Sequence, residues 1–129
     1  MNKLDKDSII GISALLVHAA KIDEIYSNHE KDLIKDFIKS YLKEGDANEI
    51  LKRAEEIEKN SNQLLSFTNI IKKNSIDIKK DILEHLWKVI ISDNTVDQYE
   101  SNLMRRICGL IYFSDKECAE IKLKLINSK

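Results

Sequence analysis

Apolar residues recur every three or four positions along almost the whole chain, which is the spacing of amphipathic helices. The spacing predicts about seven short helices: over about 6–22, 28–43 and 46–60, one carrying residues 64–71, and three that begin after Ser75, after Asp97 and at Ser114.

The composition agrees with one all-α globular bundle. The 129 residues include no proline and only three glycines, which are too few turn residues for a β-rich protein. With 43% apolar residues, the chain can bury a sizeable core. We therefore predict a single domain over residues 1–129, with Trp87 and Cys108 in its core. On the third helix, the residues expected to face inward are Ile50, Leu51, Ala54 and Ile57.

A short acidic pattern occurs twice between predicted helices. Residues 23–30 (the first link) and 93–100 (the second link) share Asp, two variable residues, an apolar residue, Ser or Asp, two variable residues and Glu. The sequence therefore predicts a helix–acidic link–helix unit used twice. Flanking apolar residues also match at an offset of 70: Leu16 with Leu86, Ala20 with Ile90, Leu33 with Leu103, and Phe37 with Ile107.

Helix capping explains part of this pattern. Ser27 with Glu30, and Asp97 with Glu100, have the spacing of capping boxes, in which the two residues satisfy each other's backbone amides. The same spacing begins the third and seventh helices without an upstream Asp, at Asp46–Glu49 and Ser114–Glu117. Capping alone is therefore a sufficient explanation of Glu30 and Glu100.

The two aspartates call for a further explanation. Asp23 and Asp93 each end an apolar helix, where the helix dipole disfavours negative charge. One explanation is that they accept backbone amides in a tight turn. The other is a cation: two units packed about a pseudo-twofold axis would bring four carboxylates together, and such oxygens suit Ca²⁺ or Mg²⁺. The predicted metal ligands are Asp23, Glu30, Asp93 and Glu100.

Charge and motifs exclude several other functions. The net charge is −1, so the chain offers no general attraction for nucleic acid or an anionic membrane. The most apolar run, residues 9–20, is too short to span a bilayer and contains His18, and we expect a cytoplasmic protein. Cys108 and Cys118 are ten positions apart and form no CxxC motif, which disfavours metal ligation by them.

No nucleophile–base motif is present, and we expect no enzyme. His18 and His85 lie within helices and are expected to be satisfied structural histidines. His29 lies in the first link and could ligate a transition metal, but the second link has Tyr99 at the matching position, so the repeat does not support such a role. A weaker alternative, a helical enzyme, would require an acidic residue to share one pocket with His29 or His85.

Segments 14–23 and 83–93 resemble the TerB-like family, which is named for bacterial tellurite resistance. The resemblance implies an all-helical fold with two acidic helix–link–helix units, a metal-binding surface and a role in stress-linked complexes, often at the inner face of the membrane. It implies no established reaction. The family has Gly after each link Asp, whereas this chain has Glu24 and Asn94. The family's acidic positions correspond to Asp23, Glu30, Asp93 and Glu100.

Two hypotheses for the function follow. In the first, the protein is a non-enzymatic module that binds a divalent cation, a partner protein or both through its acidic links. In the second, it is a structural adaptor without a metal site, in which the acidic residues cap helices and an apolar groove between helices binds the partner. The second hypothesis predicts an exposed apolar patch.

Overall fold

The computed structural model describes residues 4–22, 26–42, 46–61, 65–91 and 98–127, with backbone only at 98–100. Every regular element within these ranges is an α-helix, which confirms the predicted all-α class. The seven helices are α1 (Lys6–Ala20), α2 (Asn28–Tyr41), α3 (Ala47–Asn60), α4 (Leu65–Lys72), α5 (Ile76–Ile91), α6 (Gln98–Leu110) and α7 (Asp115–Asn127).

The described helix starts agree with the predicted caps. The Asp46 carboxylate accepts the Asn48 amide at 2.9 Å at the start of α3. The Ser114 hydroxyl accepts the Glu117 amide at 3.4 Å at the start of α7. Helix α1 ends at Ala20, two residues before the predicted end, because the Ile22 amide bonds to the Ala19 carbonyl in a tighter turn. The sequence also favours Gly45 as the left-handed residue at the C-terminus of the second helix, and this residue lies outside the described ranges.

Helix α1 is the centre of the bundle. It packs against α2, α3, α4 and α5, and it is apolar nearly all round, as expected of a fully surrounded helix. Gly11 permits close contact with α4, since a β-carbon there would collide with the δ-methyl of Ile70. No helix in the described ranges is both long and apolar enough to cross a membrane.

The core contains most of the predicted residues. Trp87 and Cys108 are buried, with 4% and 0% of their surface exposed. The prediction for Ile57 is wrong: it is 41% exposed, because it borders an open pocket between α1, α3 and α4. The matched positions Leu16 and Leu86 are both fully buried. A structural repeat of the two units stays a prediction.

Candidate functional site

The first link is the better described of the two predicted acidic links. Asp23 and Asp93 lie outside the described residues, as does the side chain of Glu100. Whether these three carboxylates converge with that of Glu30 therefore stays a prediction. The described residues on both sides of the first link define a polar site between α1, α2 and α3.

Glu30 forms the predicted capping box with Ser27. Its Oε1 accepts the Ser27 amide at 2.9 Å and the Ser27 hydroxyl at 3.1 Å. In return, the Ser27 Oγ accepts the Glu30 amide at 3.1 Å. Only 6% of Glu30 is exposed. The structure thus confirms capping for Glu30 and shows that its carboxylate is held in a fixed orientation at the start of α2.

Helix α3 binds one residue just before the first link and one residue within it. On the α1 side, Lys21 Nζ donates to Glu58 Oε1 at 2.8 Å. On the α2 side, Tyr26 Oη donates to Glu55 Oε2 at 2.6 Å. Glu55 and Glu58 are three residues apart, so they project from the same face of α3. Lys21 and Tyr26 are therefore both attached to the same face of α3.

The charges around these contacts favour an ionised Glu58. Burial alone would raise its pKa, but hydrogen bonds from Lys21 and His18 outweigh that effect and hold the pKa below its usual value. The His18 Nδ1 lies 3.2 Å from Glu58 Oε2. His18 is therefore a paired histidine at the helix boundary, as expected.

Tyr26 is a neutral hydrogen-bond donor beside two cations. Burial and the bond to Glu55 raise the pKa of Tyr26, which keeps its hydroxyl protonated. Lys31 Nζ lies 5.0 Å from the centre of its ring and Lys21 Nζ lies 5.9 Å from it. Two ammonium groups therefore offset part of the negative charge of Glu30, Glu55 and Glu58.

The residues of α3 that hold the link were not predicted from the sequence. Glu55 and Glu58 carry the i, i+3 spacing of a shared face, but α3 contains four glutamates, and spacing alone does not select a pair. Among the described side chains, no group of three or more His, Cys, Asp or Glu residues could hold a metal ion.

His85 belongs to a second polar cluster, between α2 and α5. Its Nε2 lies 3.7 Å from Asp81 Oδ1, and Tyr41 Oη donates to Asp81 Oδ2 at 2.5 Å. The His85 ring packs edge-on against Phe37 at 5.2 Å, and burial lowers its pKa. His85 thus lies in a structural contact between α2 and α5, whereas His29 is exposed at the start of α2.

An apolar pocket of about 340 Å³ lies between α1, α3 and α4. Its walls include Ile10, Phe67 and Ile70, and its rim includes the exposed Ile57 and the charged Arg53. This volume is at the low end of the range for small-ligand sites. The pocket is the kind of apolar feature that the adaptor hypothesis predicts.

Comparison with known proteins gives one match. The family model described as Tellurite resistance protein TerB matches residues 10–123, a span that includes both links and parts of all seven helices. Searches of curated proteins and of solved structures found no match. The matched span is most of the 129-residue chain, and the protein therefore belongs to the TerB family of tellurite resistance proteins.

Proposed function

We propose that this TerB family member is a non-enzymatic module that binds a divalent cation, Ca²⁺ or Mg²⁺, through its two acidic links. The ligands would be the carboxylates of Asp23, Glu30, Asp93 and Glu100. The observation that supports this most directly is the attachment of the first link to α3 by the Lys21–Glu58 and Tyr26–Glu55 contacts. A loop with fixed ends loses less conformational entropy when it binds an ion.

Capping by Glu30 is compatible with a role as a ligand. An ionised carboxylate has two oxygens and about four lone-pair sites, so one carboxylate can accept an amide and coordinate a cation at once. The capping box fixes the orientation of Glu30, as the second shell does for many metal ligands. In this proposal, capping positions the ligand and does not compete with it.

With a divalent cation bound, the two links would form the surface that a partner protein recognises. The resemblance to TerB proteins adds the expectation that this partner belongs to a stress-related complex at a membrane. A bound dication would neutralise clustered carboxylates that otherwise repel one another. Partner binding through the links would then depend on the cation.

Calorimetric titration of the chelator-treated protein with Ca²⁺, Mg²⁺, Mn²⁺ and Zn²⁺ tests the cation site. We expect saturable binding of Ca²⁺ or Mg²⁺ that an Asp23→Asn/Asp93→Asn double variant weakens by roughly tenfold or more, because each substitution removes a charged ligand. The charge-matched control is Asp32→Asn/Asp77→Asn, which alters two exposed helical aspartates and should bind normally. Equal binding by both double variants would contradict the proposal.

A single substitution separates the two roles of Glu30. Gln can replace Glu in a capping box, so Glu30→Gln keeps the acceptor for the Ser27 amide and removes the charge. If Glu30 is a ligand, the variant loses cation affinity and stays nearly as stable as the wild type. If Glu30 is only a cap, both properties stay close to those of the wild type.

The second candidate function is the structural adaptor, and the pocket between α1, α3 and α4 favours it. Its apolar walls and the exposed Ile57 fit one apolar face of a partner helix, while Arg53 fits an acidic residue and Asp7 a basic residue on that helix. Amphipathic helical peptides selected from a displayed library should bind without added cation. Ile57→Lys should abolish their binding, and Ile126→Lys, which alters an equally exposed residue of α7, should not.

A further inference from the structure

The two cysteines of the chain form a pair in the core. Cys108 is on α6 and Cys118 is on α7, both are buried and free, and each thiol lies close enough to shift the pKa of the other. The indole N–H of Trp87, on α5, donates to Cys118 Sγ at 3.3 Å. Helices α5, α6 and α7 thus each contribute one residue to this group.

The turn between α6 and α7 brings the two thiols together. The Phe113 amide bonds to the Cys108 carbonyl at 2.9 Å, and the Tyr112 amide bonds to the Gly109 carbonyl at 3.4 Å. This is a Schellman arrangement, and Tyr112 is left-handed within it, with φ of 59°. It reverses the chain directly after α6, which lets the first turn of α7 place Cys118 against Cys108.

Cys118 borders a pocket, whereas Cys108 lies behind it. The pocket, of about 190 Å³, lies between α5, α6 and α7 and is lined by Cys118 and Trp87 together with the cationic Arg105 and Lys122. Cys118 is 5% exposed and Cys108 is 0% exposed. A small neutral oxidant that enters this pocket would therefore meet Cys118 first.

The pKa values of the two thiols also differ, and the difference again favours reaction at Cys118. The hydrogen bond from Cys108, assisted by that from Trp87, lowers the pKa of Cys118 despite opposing effects of burial and Asp115. The same bond to Cys118, together with burial, raises the pKa of Cys108. The thiolate is the nucleophilic form of cysteine, and the Trp87 N–H donates to Cys118 and not to Cys108, which makes Cys118 the more reactive thiol.

We propose that Cys118 is a site of oxidation by a hydroperoxide and that Cys108 converts the product into an intramolecular disulfide. In the first step, the Cys118 sulfur attacks the peroxide, the O–O bond breaks, and sulfenic acid and water (or an alcohol) form. In the second, the Cys108 sulfur attacks the sulfenic sulfur, an S–S bond forms and water leaves. The two thiols together lose two electrons and two protons, and the peroxide gains them.

The alternative is that both cysteines are inert core residues, as buried structural cysteines usually are. Two observations favour reaction: the pocket that reaches Cys118, and a donor N–H directed at its sulfur. A second thiol close to Cys118 also supplies a partner for disulfide formation, which competes with further oxidation of the sulfenic acid.

Treatment of the folded full-length protein with hydrogen peroxide, followed by intact-mass analysis and peptide mapping, tests the proposal. Wild type should lose two hydrogen atoms by forming a Cys108–Cys118 disulfide that dithiothreitol reverses. Cys108→Ser should instead accumulate a sulfenic acid at position 118, which dimedone traps. Cys118→Ser should react far more slowly. Circular dichroism establishes that each variant is folded.

Two results would overturn the proposal. One is oxidation of Cys118→Ser at Cys108 at the wild-type rate. The other is a wild-type protein that keeps both thiols when folded but forms the disulfide once it is unfolded in urea. The wild-type measurement stands even if a cysteine variant does not fold.

Trp87→Phe tests the proposed role of the indole N–H. Losing a hydrogen bond to a thiolate should raise the thiol pKa, and because the more basic thiolate is also more nucleophilic, alkylation by iodoacetamide at neutral pH should slow by only about threefold. The pH profile of alkylation should move to higher pH, which a purely structural role for Trp87 would not cause. An unchanged profile would contradict the role assigned to the indole.

Discussion

Lys21 Nζ donates to Glu58 Oε1 at 2.8 Å and so connects the end of α1 to the last turns of α3. The two residues are 37 positions apart, and Lys21 lies just before the first acidic link. Glu58 Oε2 contacts His18 in addition, so one carboxylate accepts from two residues of α1. Glu58 therefore joins the last turn of α3 to the end of α1, just before the first link.

We predict that Glu58→Gln lowers the free energy of unfolding at pH 7 by about 1 kcal/mol, since it removes a charge-assisted contact that solvent partly screens. The native pKa of Glu58 is lowered from its ordinary value of 4.5. The unfolded chain therefore takes up the proton first, and the stabilisation is complete above pH 4.5 and declines as the pH falls below it. Urea unfolding of wild type and Glu58→Gln from neutral pH to below pH 4.5 measures the difference in their free energies of unfolding. Glu56→Gln, an exposed neighbour, should show neither effect.

Much of the fold could be predicted from the sequence because helical periodicity and capping are local properties. The spacing of apolar residues predicted all seven helices, and Ser27 and Ser114 predicted where two of them begin. The side to which Ile57 points could not be predicted. The apolar stripe of α3 continues to this residue, but Ile57 borders the open pocket between α1, α3 and α4, whereas Ile50 and Leu51 are buried.

The polar contacts at the site depend on tertiary packing and were beyond the sequence. The hydrogen bond of Tyr26 to Glu55 joins residues 29 positions apart, and several glutamates of α3 were equivalent candidates. No sequence motif predicted that Cys108 and Cys118 lie close together, because their proximity depends on the turn at Tyr112. By contrast, the capping role of Glu30 is local, and its spacing from Ser27 predicted it.

The Ser27 cap should contribute more stability than the Ser114 cap. The Ser27 hydroxyl lies 3.1 Å from the Glu30 amide and is part of a reciprocal box, whereas the Ser114 hydroxyl lies 3.4 Å from the Glu117 amide in an exposed position. We expect Ser27→Ala to lower the free energy of unfolding by about 1 kcal/mol, and Ser114→Ala by no more than about 0.5 kcal/mol. Chemical denaturation of both variants measures the order, and the reverse order would contradict the reciprocal box.

His85 should make the protein less stable in mild acid. Burial lowers its pKa from the ordinary value of 6.5, although Asp81 opposes this effect. The unfolded chain therefore binds the proton more readily than the native state, and stability falls as the pH drops below 6.5. Melting temperatures between pH 7 and about pH 5 should decline less in His85→Gln than in wild type. His29→Gln, at an exposed position, should decline as wild type does.

Ser13 offers a substitution that should stabilise the protein. It lies inside α1 with 0% of its surface exposed, and its hydroxyl has no hydrogen-bond partner among the described residues. Alanine removes this buried polar group and is a better helix former, so Ser13→Ala should raise the free energy of unfolding by about 1 kcal/mol. Ser40→Ala, whose exposed hydroxyl donates to the Phe37 carbonyl at 2.7 Å, should change it little. A loss of stability in Ser13→Ala would show that the hydroxyl has a partner.

Tyr112 adopts a left-handed conformation that glycine would adopt without steric cost. Its φ is 59°, and its 74% exposed ring lies beneath Lys72 Nζ at 4.5 Å. Substitution by glycine or by alanine removes the ring and its cation contact, but only glycine relieves the backbone. Tyr112→Gly should therefore be more stable than Tyr112→Ala by about 1 kcal/mol in urea unfolding. Equal stabilities would contradict the left-handed turn, and with it the route by which Cys118 reaches Cys108.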